Sequence, residues 1–370
     1  MAALVAVLAI VLILFVLWDA FETILLPRRI PSGLRISRLV LRALWSVWST
    51  IGSGIKTRNQ RENFLSLYAL LSLIGLLVVW AGGLILAFAA LNWSFGSHMV
   101  TSGGPVGFRT DLYMSGTTFF TLGLGDVVPG SPMSRLLTVI EAGMGFGFLA
   151  LVLAYLPVLY QAFSRREARI TMLDEWAGSP PTAAVLVRRC FESRDPGAAL
   201  NALLKDWEIA AAEILESHLS YPILAFFRSQ HDNQSWIAAL STVLDTCALV
   251  ISGVDDIDPF QARLTFAICR HTLVDVTQTI ARRQGPVTFD QPPMEGLAEA
   301  RAWLLNAKVP IADDPEAEKR LADLRAMYTP FIGVLSVLLL MPLPPLMPPV
   351  KARYNWETTV WAKTGRDDAH

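Results

Sequence analysis

Three long apolar runs stand out in this chain, at residues 2–26, 64–91 and 136–163. A helix rises 1.5 Å per residue, so about 20 apolar residues cross the roughly 30 Å hydrocarbon core of a bilayer. We therefore predict three transmembrane helices, the first of them over residues 1–26. A cleaved signal peptide is the alternative for that first run, but the run lacks a basic start and a small-residue cleavage site.

Carboxylates interrupt two of these runs: Asp19 and Glu22 in the first, and Glu141 in the third. A charge at mid-bilayer is costly, so Asp19 and Glu22 are expected near an interface or facing other helices. Two roles remain open for Glu141. It could hydrogen-bond Thr117 or Thr118, or it could face a central cavity and attract cations.

The segment 27–62 is basic. It contains no acid before Glu62 and carries these cations: Arg28, Arg29, Arg35, Arg38, Arg42, Lys56, Arg58 and Arg61. The positive-inside rule makes this segment cytoplasmic, so the N-terminus lies outside and the C-terminal half inside a multi-pass cell-membrane protein. Within the segment, residues 34–51 predict an amphipathic helix at the lipid interface. A voltage-sensing helix is the alternative, but no four-helix sensor precedes the next spans.

Composition supports a membrane protein and excludes several other classes. The chain has 370 residues, 53% of them hydrophobic and 17% charged, with a mean hydropathy of +0.44. The net charge of -1 argues against a nucleic-acid-binding protein. The cysteines, Cys190, Cys247 and Cys269, form no CxxC pair. Since no nucleophile–base pair or metal-ligand spacing stands out, we expect neither an enzyme nor a cofactor.

A glycine-containing run, Thr121-Leu122-Gly123-Leu124-Gly125-Asp126, lies between the second and third apolar runs. A dehydrated cation needs rings of oxygen ligands, and a chain aims successive carbonyls along one axis only in unusual backbone conformations. Gly123 and Gly125 reach positive φ without a Cβ clash. Non-helical backbone at membrane depth is tolerated where it lines a water-filled path.

This run resembles the selectivity filter of the potassium channel family, and the resemblance covers roughly residues 64–163. It implies a pore module at 63–163, with an outer helix at 64–91, a pore helix at 111–120, a filter at 121–126 and an inner helix at 134–163. In the family, K⁺ is held by the carbonyls at the positions of Thr121, Leu122, Gly123 and Leu124, and by the Thr121 hydroxyl. Asp126 would stand at the outer mouth.

One such motif supplies one quarter of a ring of carbonyls, so the resemblance implies a homotetramer. Thr117 and Thr118 would support the filter from the pore helix. Two departures from the family matter. Leu124 replaces a common Tyr or Phe, which removes a hydroxyl tether and raises the prospect of Na⁺ leak. Thr117 replaces a Glu found in some relatives. The alternative for the whole motif is a glycine turn in a transporter-like re-entrant loop.

The third apolar run contains Gly143, Gly145 and Gly147. By resemblance, Gly145 falls at the hinge glycine of the family, and close helix packing through small residues is the other interpretation. Both remain open. Pro157 should kink the inner end of this helix, because it removes a backbone donor. An apolar gating constriction could form nearby from Tyr155, Leu156 and Leu159.

Residues 164–370 predict an all-helical cytoplasmic domain. Amphipathic stretches separated by Pro, Gly and Asp predict helices at 181–193, 197–219, 235–251, 259–283, 294–308 and 315–328. The apolar run 331–341 is too short to cross a bilayer and is expected to be a buried helix. The region has no GxGxxG motif and no alternating strand pattern, which argues against the nucleotide-binding regulators of other channels.

Polar and aromatic residues concentrate at 217–236. Arg228, His231, Asp232, Asn233 and Gln234 could line the pocket of an unknown cytoplasmic ligand or act as a pH sensor. The other interpretation is a turn between helices whose polar groups cap the next helix. Further polar groups have structural explanations: helix capping for Asp255, Asp256 and Asp258, and burial in a core for Cys247, Cys269 and His271.

Together these observations predict an all-α membrane protein: a tetrameric potassium-channel pore module with an all-helical cytoplasmic C-terminal domain that assembles or regulates it. Its partners would be membrane lipid and three further copies of the chain. A weakly selective cation channel is one alternative. A membrane-anchored helical sensor or binding protein with a vestigial pore is the other.

Overall fold

The structure is a computed structural model that describes residues 1–24, 35–101, 105–231, 233–284, 297–312 and 314–347. Five helices precede residue 178: α1 (Ala2–Ile24), α2 (Ile36–Gly54), α3 (Arg58–Ser94), α4 (Phe108–Phe119) and α5 (Pro132–Ala177). Seven follow: α6 (Ala183–Phe191), α7 (Pro196–Ser220), α8 (Trp236–Gly253), α9 (Phe260–Gln284), α10 (Leu297–Asn306), α11 (Pro315–Ala326) and α12 (Thr329–Leu339). A short 3-10 helix, Pro222–Phe226, follows α7.

The chain forms two compact units. The first contains residues 1–47 and 67–161, and the second contains residues 48–66 and 162–370 as far as they are described. The predicted helices agree with the structure to within a few residues in most of the chain. The last change of unit falls between Gln161 and Ala162.

Two predicted boundaries were wrong. The helix predicted at 64–91 begins earlier, at Arg58. The helix predicted to end at 163 runs on to Ala177 and passes through Pro157 without a break. The segment 164–177 contains no glycine or proline, and Gly178, at φ +84, is the first residue that favours a helix end. The helical periodicity therefore continues past the point where the apolar run stops.

The acids of α1 make side-chain contacts within the first unit, as expected. Asp19 accepts hydrogen bonds from the Ser37 amide at 2.9 Å, the Ser37 hydroxyl at 3.0 Å and the Trp80 indole at 2.8 Å. Glu22 pairs with Arg35 at 2.8 Å. Both carboxylates are buried. Paired and hydrogen-bonded in this way, they fasten α1 to α2 and α3 without leaving an unsatisfied buried charge.

The sequence predicted no strands, but the first unit contains a small antiparallel ribbon. Strands β1 (Met99–Thr101) and β2 (Val127–Pro129) pair with Val100 opposite Val128. The Gly130 amide extends the ribbon by donating to the His98 carbonyl at 2.8 Å. Three-residue strands are too short for period-2 alternation to identify them. The ribbon joins the segment before α4 to the segment after it.

The core of the second unit is helical and centred on α8. In the part of α8 that is apolar enough to cross a membrane, 89% of the residues are buried within the protein. The corresponding shares are 28%, 39% and 17% for α1, α3 and α5. Among the described residues, these four helices are long and apolar enough to cross a membrane. The bent pair α11 and α12 also meets this condition when the two are taken together. Because α8 is enclosed by other helices, its apolar sequence is explained by packing.

Hydroxyl groups tie neighbouring helices of this core together. On α9, Thr265 donates to the Leu204 carbonyl of α7 at 2.9 Å, and Thr272 donates to the Ala211 carbonyl at 3.0 Å. Asp245 of α8 accepts from the Tyr328 hydroxyl at 2.5 Å. Buried polar groups that are hydrogen-bonded in this way specify one arrangement of the helices.

Candidate functional site

The glycine-containing run continues directly from the C-terminus of α4. The Phe120 amide donates to the Gly116 carbonyl at 3.1 Å, and the Thr121 amide donates to the Thr118 carbonyl at 2.9 Å. The Leu122 amide then donates to the Thr117 carbonyl at 2.7 Å. These bonds satisfy carbonyls that a helix end otherwise leaves unpaired. They hold the start of the run against α4.

Residues with a positive φ alternate along the run with residues whose φ is not positive. Thr121, Gly123 and Gly125 have φ values of +56°, +55° and +81°, whereas Leu122 and Leu124 have no positive φ. In an ordinary strand successive groups point to opposite sides. A chain in which every second residue is left-handed can turn its carbonyls to one side, as a row of cation ligands requires. The two glycines adopt this conformation without the strain that Thr121 carries.

The same run is exposed along its whole length, from Phe120 to Asp126. Leu122 and Leu124 are 60% and 63% exposed. Large apolar side chains exposed in a membrane protein can be covered by lipid or by another chain. Thr117 and Thr118, which precede the run on α4, are buried.

Tyr113 makes a hydrogen bond that was not predicted from the sequence. Its hydroxyl donates to Oδ2 of Asp126 at 2.9 Å. Tyr113 lies on α4 and Asp126 closes the run, so the bond ties the last residue of the run to the helix before it. Leu124 provides no hydroxyl, and Tyr113 supplies a tether from another position. The sequence signal was an aromatic hydroxyl in the middle of a short helix that precedes an acid.

Glu141 makes a structural hydrogen bond, which is one of the two roles predicted for it, but with a different partner. Its Oε1 contacts the hydroxyl of Ser115, not of Thr117 or Thr118. The Ser115 hydroxyl also lies 2.8 Å from the Ile85 carbonyl of α3. Glu141 is 1% exposed. It therefore joins α5 to α4 and does not face an open cavity within the chain. The partner differs because Ser115 lies on the face of α4 that packs against α5.

Gly145 allows the closest approach between α4 and α5. A Cβ atom at Gly145 would lie 2.1 Å from the Phe119 carbonyl oxygen. Atoms added at Gly143 or Gly147 would meet nothing within 4 Å. Of the two interpretations of Gly145, close packing is therefore supported directly by the geometry. The backbone carbonyl it accommodates belongs to the residue two before Thr121.

The N-terminal turn of α4 is held by a buried acid. Asp111 is fully buried and accepts from the Ser97 hydroxyl at 2.5 Å. Ser97 precedes β1, so this bond and the ribbon both connect the α3–α4 loop to the rest of the site. An acid in the first turn is also favourable at a helix N-terminus.

The residues near Pro157 that were predicted to form a constriction differ in exposure within the chain. Leu159 is buried, whereas Leu153, Leu156 and Tyr160 are exposed. Leu156 and Leu159 are three residues apart and therefore neighbours on the helix, but they differ in exposure. Leu159 therefore does not line the exposed face of α5 with Leu156.

In the second unit, the polar segment 217–236 divides into a capping part and a pocket part. Ser235 caps α8 by accepting from the Ala238 amide at 3.0 Å, as the capping interpretation predicted. Arg228, His231, Asn233 and Gln234 line a cavity, as the ligand interpretation predicted. Asp232 lies outside the described residues.

The other polar groups that the sequence analysis singled out have structural contacts or exposed positions. Asp258 accepts from the Phe260 amide at 3.0 Å and so caps α9. Cys247 and Cys269 are buried, but His271 is exposed on α9 and was wrongly expected in the core. Among the described residues no group of His, Cys, Asp or Glu could hold a metal ion.

Comparison with known proteins agrees with the geometry of the first unit. Residues 73–161 match a protein family described as "Ion channel". This segment, which contains α4, the glycine-containing run and most of the adjoining helices, is an ion channel pore domain. The chain is accordingly a multi-pass membrane protein that contains an ion channel pore domain.

One relative extends beyond the pore domain. The chain is similar to the uncharacterized membrane protein YdjJ of Bacillus subtilis (strain 168), with 25% identity over 232 residues. The alignment covers 58% of this chain and 66% of that protein, so it spans just under two thirds of the relative's length. No solved structure matches the chain.

Proposed function

We propose that this protein is a potassium-selective channel that conducts K⁺ passively through a homotetrameric pore. The observation that carries the proposal is the alternating backbone of Thr121, Gly123 and Gly125. Such an alternation can turn successive carbonyls to one side, as a row of ligands for a dehydrated cation requires. The run also lies at the C-terminal end of α4, where the partial negative charge of a helix favours cations. The Thr121 hydroxyl would add a ligand at the inner end, and Asp126 would raise the cation concentration at the outer mouth.

Apolar and backbone surface that a single chain leaves exposed supports the proposal of a tetramer. The run 120–126 and the α5 side chains Phe146, Leu149 and Leu153 are all exposed. Four copies around one axis would bring four runs together and complete each ring of carbonyls. They would also cover part of the apolar face of α5, which lipid covers otherwise.

Selectivity for K⁺ over Na⁺ is supported by the tethering of the run. Tyr113 holds Asp126 at 2.9 Å, and the amides of Thr121 and Leu122 are bonded to carbonyls of α4. A run held at both ends keeps its carbonyls at one spacing. This arrangement compensates for the absence of an aromatic side chain at Leu124.

The basic segment 27–62 supports a cytoplasmic location for the second unit, with the N-terminus outside. In that orientation four helical units would lie on the cytoplasmic side and regulate the pore through the inner helix, α5. Deleting residues 179–370 tests this role. An assembled channel with an unchanged open probability after the deletion would contradict it.

Ion flux from liposomes tests the channel itself. Purified tetramers should release K⁺ well ahead of Na⁺. Replacing Gly123 with Ala should abolish selective flux, because Ala at φ +55 is strained by about 1–2 kcal/mol in each chain. Gly107→Ala is the matched control, since Gly107 has an extended φ of -174° and no atom within 4 Å of an added Cβ.

Equal K⁺ and Na⁺ flux through the unaltered protein would instead support a weakly selective cation channel. Verified tetramers that pass neither ion, even after deletion of residues 179–370, would contradict conduction and support a membrane-anchored sensor.

A further inference from the structure

The start of α2 is bonded to the last turns of α1 in the first unit. The Ser37 amide and hydroxyl donate to Asp19 at 2.9 Å and 3.0 Å, and Arg35 pairs with Glu22 at 2.8 Å. The helix α1 is long and apolar enough to cross a membrane, and the ends of such a helix lie near the lipid headgroups. The first turns of α2 are therefore held close to the headgroup layer.

One side of α2 packs against α3, and the other side is exposed. Trp45 is buried, with its ring centroid 4.7 Å from that of Tyr68, and the Tyr68 hydroxyl donates to the Leu41 carbonyl at 2.9 Å. On the other side of the helix, Leu39 and Val47 are 69% and 57% exposed. Exposed apolar residues next to basic residues are typical of a helix that lies in the membrane interface. The exposed side of α2 is therefore a surface that lipid can cover.

Arg38 and Arg42 lie where these two sides of α2 meet. They are four residues apart and are therefore neighbours on the helix. Arg38 is half-buried, and its Nε makes no hydrogen bond among the described residues, whereas Arg42 is exposed. Arg35, by contrast, is already bonded to Glu22. An arginine guanidinium binds a phosphate group through parallel hydrogen bonds, so two guanidinium groups at this spacing suit one phosphate.

The sequence around these two arginines contains no carboxylate. Residues 23–61 include eight Lys and Arg residues and no Asp or Glu. A basic cluster beside a membrane span attracts anionic lipids. The exposed side chains of Leu39 and Val47 suit a ligand that also has acyl chains, which a soluble anion lacks. Charge and apolar surface together therefore favour a phospholipid as the ligand.

We propose that Arg38 and Arg42 bind the phosphate of an anionic phospholipid at the end of α1, in preference to a zwitterionic phospholipid. The aliphatic stems of the two arginines lie along the helix, their guanidinium groups reach the phosphate, and the acyl chains contact Leu39. This site depends neither on the proposed conduction of K⁺ nor on the side of the membrane that α2 faces.

Thermal unfolding of the purified full-length protein in micelles of an uncharged detergent tests the binding. The probes are phosphatidylglycerol and phosphatidylcholine with the same acyl chains, and inorganic phosphate. A ligand that binds only the folded state raises the melting temperature in proportion to the logarithm of its concentration. We expect a larger rise with phosphatidylglycerol than with phosphatidylcholine, and none with inorganic phosphate at the same concentration. Added salt should reduce the difference between the two lipids, because it screens exposed charges.

Two variants locate the site. Arg38→Gln combined with Arg42→Gln should weaken the binding of phosphatidylglycerol roughly thirtyfold, the factor that corresponds to about 1 kcal/mol for each arginine near a membrane surface. Arg42→Gln alone, at an exposed position, should leave the melting temperature of the lipid-free protein unchanged and weaken binding roughly fivefold. The matched control is Arg194→Gln combined with Arg263→Gln, which removes two exposed arginines of the second unit and should leave the lipid preference unchanged.

Four outcomes would overturn the proposal: equal rises with the two lipids, an equal rise with inorganic phosphate, a preference that the Arg38 and Arg42 double variant retains in full, or a loss that the control variant shares. These measurements need no ion flux. A protein that prefers the anionic lipid but does not conduct would therefore contradict only the proposed channel function. A protein that conducts but shows no lipid preference would contradict only the site.

Discussion

The hydroxyl of Tyr113 donates a hydrogen bond to the carboxylate of Asp126 at 2.9 Å. The donor lies in the middle of α4, and the acceptor is the last residue of the proposed filter. This one contact closes a loop whose other end is held by the amides of Thr121 and Leu122. The proposed filter is therefore a short segment with both ends fixed to the same helix.

Removing the Tyr113 hydroxyl should loosen the outer end of the filter. In Tyr113→Phe the ring remains and only the donor to Asp126 is lost, so we expect an assembled channel with a lower K⁺ to Na⁺ permeability ratio. The reversal potential under bi-ionic conditions measures that ratio. Tyr160→Phe, which removes an exposed hydroxyl far along α5, is the control. An unchanged ratio in Tyr113→Phe would show that the tether has no part in selectivity.

Gly145 should tolerate substitution worse than its two neighbouring glycines. In Gly145→Ala the new Cβ would lie 2.1 Å from the Phe119 carbonyl oxygen, so α4 and α5 must move apart. Overpacking of this kind costs about 1–3 kcal/mol. Gly143→Ala and Gly147→Ala meet nothing within 4 Å in the chain and should gain up to about 1 kcal/mol of helix propensity.

Melting temperatures and size-exclusion profiles of the three glycine variants, measured in one detergent, check this order. A loss of assembly in Gly143→Ala or Gly147→Ala that exceeds the loss in Gly145→Ala would contradict it. That result would move the tightest contact from α4 within the chain to a neighbouring subunit.

Glu141 should act through its hydrogen bond to Ser115 and not through its charge. Glu141→Gln keeps a side chain of the same shape that can bond the Ser115 hydroxyl, so conduction should persist. Glu141→Ala removes the hydrogen bond between α5 and α4, although the Ser115 hydroxyl keeps the Ile85 carbonyl as an acceptor, and should destabilise the protein by about 1 kcal/mol. Denaturation midpoints and K⁺ flux of both variants test the difference. Equal loss of flux in both, with normal assembly, would favour a cation-attracting carboxylate.

Acid should destabilise the second unit through His218. Burial, together with the nearby Arg166 guanidinium, lowers the pKa of His218 from 6.5 to about 3. Its Nδ1 lies 2.8 Å from the Ile214 carbonyl and its Nε2 lies 3.2 Å from Nη1 of Arg166. The neutral ring therefore donates through Nδ1 and accepts through Nε2.

Because the folded state resists protonation of His218, the unfolded state binds the extra proton once the pH falls below 6.5. Stability should be constant with respect to this group above pH 6.5 and decline as the pH falls toward 3, by about 2 kcal/mol at pH 5. His218→Gln should flatten that part of the profile, and His271→Gln, on the exposed side of α9, should not. Unfolding curves between pH 8 and pH 5 measure the effect. A profile that His218→Gln leaves unaltered would assign the acid sensitivity to another group.

The local pattern of apolar and polar residues was sufficient to predict most of the helices. The apolar runs predicted α1, α3 and α5. The spacing of apolar residues between Pro, Gly and Asp predicted α6 to α12. Both predictions depend on residues close together in the sequence, because the apolar side of a helix repeats every three or four positions. The run Thr121 to Asp126 was recognisable for the same reason. Its two glycines alternate with other residues within one short stretch, and the alternation of φ in the structure follows that spacing.

Contacts between residues distant in the chain could not be predicted in this way. Glu141 was expected to bond a threonine and instead contacts Ser115, because the rotation of α4 against α5 selects the facing residue. Gly145 is distinguished from Gly143 and Gly147 only by the position of the Phe119 carbonyl.

The sequence by itself therefore determined the helices and the chemistry of the filter segment, since both depend on the order of nearby side chains. The tertiary structure decided which groups meet. Tyr113 and Asp126, and Arg228 with Glu62, form their contacts only because separate segments pack at one spacing and rotation. Such contacts join groups that are far apart in the sequence, and no short stretch of sequence contains that information.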